Sequence, residues 1–210
     1  MNLSPSSNRR RIIAGTSLLG VAIGFLLEIL PEASALSQTG IAVRGVIAVV
    51  FMLLMVAGVF GITQILRARA DWLGLLGGAA VLIGQIAAVR IGVLLQLIAL
   101  SESGVTSIPP NLIGLLFQSA PLVGLSIFRV GIFFPLGLIM LGIGLIWARP
   151  VSWLFGLLLI IGGVMFPIGR VLGMDWAVIA CNIILAAAFG LIGWQILTRR
   201  EIWEKNPAVD

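Results

Sequence analysis

Long apolar runs separated by short polar or charged links make up nearly the whole chain. Run length fixes their nature. Crossing the roughly 30 Å hydrocarbon core of a bilayer takes about 20 apolar residues at a rise of 1.5 Å each. Six runs qualify: residues 12–30, 41–66, 72–100, 122–147, 151–172 and 176–197. None alternates as a membrane barrel strand does, and lipid offers no partners to an open backbone, so all six are predicted helices. The expected fold is an all-α integral membrane protein, one six-transmembrane-helix bundle over residues 1–210.

The first run has a basic start and an Ala33-Ser34-Ala35 that resembles a signal-peptide cleavage site. It is longer than the 7–15 residues typical of a signal and contains Glu28, so a retained helix is expected. Residues 101–121 form the longest link. There Pro109-Pro110 ends any helix and Asn111 can cap a short one over residues 111–120, too short to span. An interfacial or re-entrant helix is expected, acting as a plain surface element or as a lid.

Composition narrows the chemistry. Charged residues are 10% of the chain, against about 25% in soluble domains, too few to cover a water-facing surface. Histidine is absent and there is one cysteine, which removes Ser-His and Cys-His pairs, imidazole metal ligands and an internal disulfide. No phosphate loop, metal-ligand cluster or cofactor box is visible. An enzyme is not expected: an intramembrane one built on Glu28 or Asp175 lacks a paired nucleophile or base.

The net charge of +5 acquires meaning once placed. With six alternating helices, Arg9, Arg10, Arg11, Arg67, Arg69, Arg149, Arg199, Arg200 and Lys205 share one side with four acidic groups. The other side balances Arg44, Arg90, Arg129 and Arg170 against Glu28, Glu32, Glu102 and Asp175. The excess marks the cytoplasmic face, so both termini are expected inside a cell membrane of the bacterial inner-membrane type. No nucleic-acid partner is needed. Five of the six tryptophans, Trp203 included, fall near the cytoplasmic span ends as an interfacial belt.

Internal similarity adds depth. Arg-Ala-Asp-Trp (69–72) opens a span that reaches Arg90, and Arg-Pro-Val-Ser-Trp (149–153) opens one that reaches Arg170. Arg44 and Arg129 stand early in the preceding spans, so spans two–three and four–five read as a duplicated helical hairpin. At 1.5 Å per residue, Arg90, Arg129, Arg170, Glu28 and Asn182 all lie about 26–27 Å from cytoplasmic markers of their own helices. Arg44 and Asp175 lie somewhat further out. This layer of Arg44, Arg90, Arg129, Arg170, Glu28, Asn182 and Asp175 is the candidate site. It would bind an anionic or lipid-like ligand in an outward-facing cavity. The alternative is a set of structural ion pairs and lipid contacts in an accessory subunit of a larger membrane complex.

Glycine pairs at small-xxx-small spacing (Gly20 and Gly24, Gly74 and Gly78, Gly169 and Gly173) predict close helix packing. Because Gly20, Gly24 and Glu28 share a helix face, Glu28 is expected to point into the bundle. Pro135 and Pro167 fall within spans and predict kinks. Residues 137–150, GLIMLGIGLIWARP, resemble in general style bacterial multi-span families known only as domains of unknown function. The likeness runs over residues 137–173 and implies no site residue or activity.

Overall fold

In a computed structural model of the chain, residues 5–29, 38–102 and 131–204 are described; side chains are described over 6–29, 46–86 and 131–203, apart from Val171. Every element among them is helical. In chain order these are α1 (Pro5–Leu27), α2 (Gln38–Glu102), α3 (Phe133–Ala148), α4 (Trp153–Leu172), α5 (Asp175–Thr198) and the short α6 (Arg200–Glu204). The expected helix at 111–120 and the start of the fourth run lie outside the described residues.

The second and third apolar runs are joined without a loop. Within α2 the backbone leaves helical geometry at Ala70 (φ −142°, ψ 41°), and the chain folds back there. A Cβ on Gly74 would lie 3.1 Å from the Leu66 Cβ, and one on Gly78 would lie 2.6 Å from a methyl of Thr63. Residues that far apart cannot meet along one straight helix, so the arms 38–69 and 71–102 run antiparallel.

The same close approaches define the remaining neighbours. Gly61 meets Ala14 and Gly58 meets Leu18, seating α1 on the first arm of α2. Gly84 meets Phe134 and Gly137 meets Val81, seating the second arm on α3. Gly142 and Gly156 face each other between α3 and α4, and Gly162 meets Leu185 between α4 and α5. Finally Gly193 of α5 lies against Gly15 and Leu18 of α1. Six helical segments, each antiparallel to the next, thus close into a ring. Small residues allow this because helix association in an apolar medium rests on close van der Waals contact.

Leu18, Phe25, Met55, Ile62, Leu66, Leu141, Leu159 and Phe189 are fully or almost fully buried inside the ring. Phe25 of α1 stacks on Phe189 of α5, with ring centroids 5.8 Å apart. Outside, Ile23, Leu53, Phe60, Leu75, Val164 and Ile183 are exposed, an apolar surface suited to lipid. By length and composition, four helical stretches of the described chain are long and apolar enough to cross a membrane: Ser6–Leu27, Val46–Ile86 (taken across the break at Ala70), Trp153–Arg170 and Asp175–Thr198.

Several expectations are corrected. Gly173 is no packing glycine: it ends α4 in the left-handed conformation (φ 67°), its N–H bonded to the Gly169 carbonyl. Pro135 stands in the first turn of α3, where a missing N–H costs little, and the rest of the fourth run before residue 131 lies outside the described residues. Trp203 leaves the exposed belt. It is only 4% exposed, tucked beneath α6 against the end of the bundle, while Trp72, Trp147, Trp153, Trp176 and Trp194 stay exposed.

Arg11 is the largest departure. Read from sequence it is one of three anchoring arginines at the membrane surface, yet it is 5% exposed. Its Nη1 donates to the carbonyls of Leu197 (2.7 Å) and Ile196 (3.4 Å), and its Nη2 donates to Asn8 Oδ1 (3.0 Å). The last carbonyls of a helix have no partner within it and carry its negative dipole end. A buried guanidinium from α1 satisfies those of α5.

Candidate functional site

At the end of the bundle away from Arg11, three helix ends converge. Glu28 follows the last residue of α1, its N–H bonded to the Gly24 carbonyl at 3.1 Å as a further helical turn. Arg170 stands in the last turn of α4. Asn182 lies seven residues into α5, about 10 Å from its start. Antiparallel packing of α1 and α4 on α5 brings the three to one height.

Glu28 Oε2 accepts from Arg170 Nη2 at 2.6 Å and from Asn182 Nδ2 at 3.4 Å. The ion pair is partly wet, with the Arg170 side chain 33% and the Glu28 side chain 44% exposed. Glu28 therefore sits at the rim rather than inside the bundle as its helix face suggested. One turn earlier on α4, Phe166 presents its ring 4.2 Å beneath the Arg170 guanidinium. This cation–π stack holds the guanidinium plane, and among the described residues its other donors make no hydrogen bond. Phe166 is itself fixed against Phe134 of α3, with ring centroids 4.8 Å apart.

Asn182 is wholly buried, and its Oδ1 accepts no hydrogen bond among the described residues. Leaving a buried acceptor unmade costs about 1–3 kcal/mol. The neighbouring Cys181 is accounted for, buried with its thiol donating to the Gly162 carbonyl at 3.3 Å. Taken together, and among the described residues, the cluster offers unused guanidinium donors, a half-exposed carboxylate and one unsatisfied amide oxygen. It has no nucleophile with a base beside it. Among the described residues, no group of three or more His, Cys, Asp or Glu gathers as a metal site.

Of the seven residues of the expected layer, the structure brings Glu28, Arg170 and Asn182 together. Asp175 is exposed in the first turn of α5 and makes no ion pair among the described residues. Arg44 and Arg90 belong to α2, but their side chains, like all of Arg129, lie outside the described residues. Sequence reasoning missed Phe166, for which a signal existed: it precedes Arg170 by four residues, the spacing at which helix side chains meet.

The resemblance of residues 137–173 adds no residue roles, and the chain matches no protein-family model, no curated protein and no solved structure.

Proposed function

We propose that this is a six-span membrane protein with cytoplasmic termini that binds or transports an anionic or amphipathic ligand at its outward end. The site would centre on Glu28, Arg170 and Asn182. The observation that carries this reading is the one-third-exposed Arg170 guanidinium, held over the Phe166 ring and, among the described residues, hydrogen-bonded through Nη2 alone. In this reading Glu28 is a resident competitor, occupying Arg170 until an anion displaces it. By residue rise in the sequence, Arg44, Arg90 and Arg129 would add donors at the same level, and the ligand's apolar part would lie along the exposed flanks.

A second reading, an accessory subunit of a membrane complex, draws on the ion pair itself, which ties α1 to α4. Binding of lauryl phosphate to the purified protein separates the two. On the ligand-binding reading, Arg170→Gln weakens binding about tenfold, whereas Glu28→Gln tightens it by removing the competitor. If both substitutions lower stability alike and leave lauryl phosphate binding unchanged, the pair is structural and the accessory reading holds.

A further inference from the structure

A second cluster of charge lies at the opposite, basic end of the ring. Arg69, Arg149 and Arg199 line one cavity of about 320 Å³, joined by Glu201 and walled in part by Ile65 and Ala148. That volume lies at the lower end of the roughly 300–1,000 Å³ range of small-ligand sites. The three arginines come from three separate turns of the chain. Arg69 precedes the break at Ala70, Arg149 ends α3, and Arg199 ends α5. All three are exposed, and among the described residues none makes an ion pair. One carboxylate against three guanidiniums leaves a positive balance. The C-terminal ends of α3 and α5 offset part of it, at about half a charge each.

Two details point to an occupant. Arg149 holds a left-handed backbone (φ 50°, ψ 41°), the only non-glycine residue at positive φ among those described. Pro150 follows it, which favours an extended conformation, and glycine is the residue that ends helices in this way without strain. An arginine kept where glycine fits better suggests that its side chain is needed there. Second, Trp147 and Trp153 flank Arg149 in sequence and are exposed, as residues at headgroup level are. A cationic cavity at that level faces lipid phosphates.

We propose that this cavity binds the phosphodiester headgroup of an anionic phospholipid, the guanidiniums forking onto its phosphate oxygens. The site is separate from the Glu28 cluster and stands or falls independently of it.

The test uses the full-length protein in detergent, titrated with dioctanoyl phosphatidylglycerol, dioctanoyl phosphatidylcholine or inorganic phosphate and read by native mass spectrometry. Phosphatidylglycerol is expected to bind at least about tenfold tighter than either comparator. Arg149→Gln should weaken it about tenfold, and Arg69→Gln with Arg199→Gln further still. Arg9→Gln with Arg67→Gln removes as much charge from exposed positions outside the cavity and should leave binding unchanged. Equal weakening by that control pair overturns the proposal in favour of diffuse surface attraction. Inorganic phosphate binding as tightly as phosphatidylglycerol overturns the lipid assignment. Should Arg149→Gln fail to fold, Arg199→Lys decides: retained charge without the fork should still cost several-fold, and wild-type affinity there also overturns the proposal.

Discussion

Arg11 in α1 and Leu197 in the last turn of α5, 186 residues apart, are joined by a 2.7 Å hydrogen bond from guanidinium to backbone carbonyl. Removing the donor leaves the final carbonyls of α5 buried without it. Arg11→Met is expected to lower unfolding stability by about 2 kcal/mol, the scale of a lost charge-assisted bond, with Arg11→Lys recovering part. Arg9 is exposed, and Arg9→Met should change stability by less than about 0.5 kcal/mol. Thermal unfolding in detergent measures both. Equal effects at the two positions would return Arg11 to the role of surface anchor.

Ring closure rests on the contact between α5 and α1. A Cβ at Gly193 would sit 2.8 Å from the Gly15 carbonyl oxygen and 2.9 Å from the Leu18 Cβ, positions that backbone and inner side-chain atoms cannot readily yield. Gly193→Ala should therefore cost about 1–3 kcal/mol as overpacking. At Gly190, on the same helix, the nearest atom would be the Ala22 Cβ at 3.4 Å. Gly190→Ala is expected to be neutral or slightly stabilising through better helix propensity. Paired melting temperatures decide it.

Strain at Arg149 predicts opposite signs for two properties. Left-handed backbone costs a residue with a Cβ about 1–2 kcal/mol, part of which glycine gives back through the entropy of the unfolded chain. Arg149→Gly should stabilise the protein by up to about 1 kcal/mol while weakening phosphatidylglycerol binding. A loss of stability would show that Arg149 makes contacts the strain argument leaves out.

The proposed six-span arrangement with cytoplasmic termini can be tested by labelling. In a Cys181→Ala background, Ser152→Cys and Asp175→Cys place single exposed thiols at the two ends of α4 and the turns beside it. An impermeant maleimide added to intact cells should modify only Asp175→Cys, and added to inverted vesicles only Ser152→Cys. The reverse pattern inverts the orientation, and modification of both from one side removes α4 as a span.

Helix length and apolar content made the helices legible, because lipid allows few alternatives to a long apolar run. Residue rise placed Glu28, Arg170 and Asn182 at one height, and they meet. Height carries no information about azimuth, however, so which of four arginines would face Glu28 followed only from the order of packing around the ring. Arg11 was hidden for a related reason. Three consecutive arginines before a span look alike in sequence, and only the arrival of a distant helix end separates the one that is buried. Gly173 and Gly169 share a spacing that suggests packing, yet one caps α4 while the other meets Val178 of α5. Spacing alone does not distinguish a helix interior from its terminus.

Closure of α5 on α1 also sets an order of events during synthesis. At about 5–20 residues per second, the 186 positions between Arg11 and Leu197 take roughly 10–40 s to translate. For most of that interval, once the first arm of α2 has been made, α1 has one neighbour but not the partner for its other flank, where Gly15, Leu18, Ala22 and Phe25 await α5. Its buried guanidinium has no carbonyls to bond until α5 emerges. Emergence of α5, rather than insertion of any earlier helix, is the step that seals the bundle.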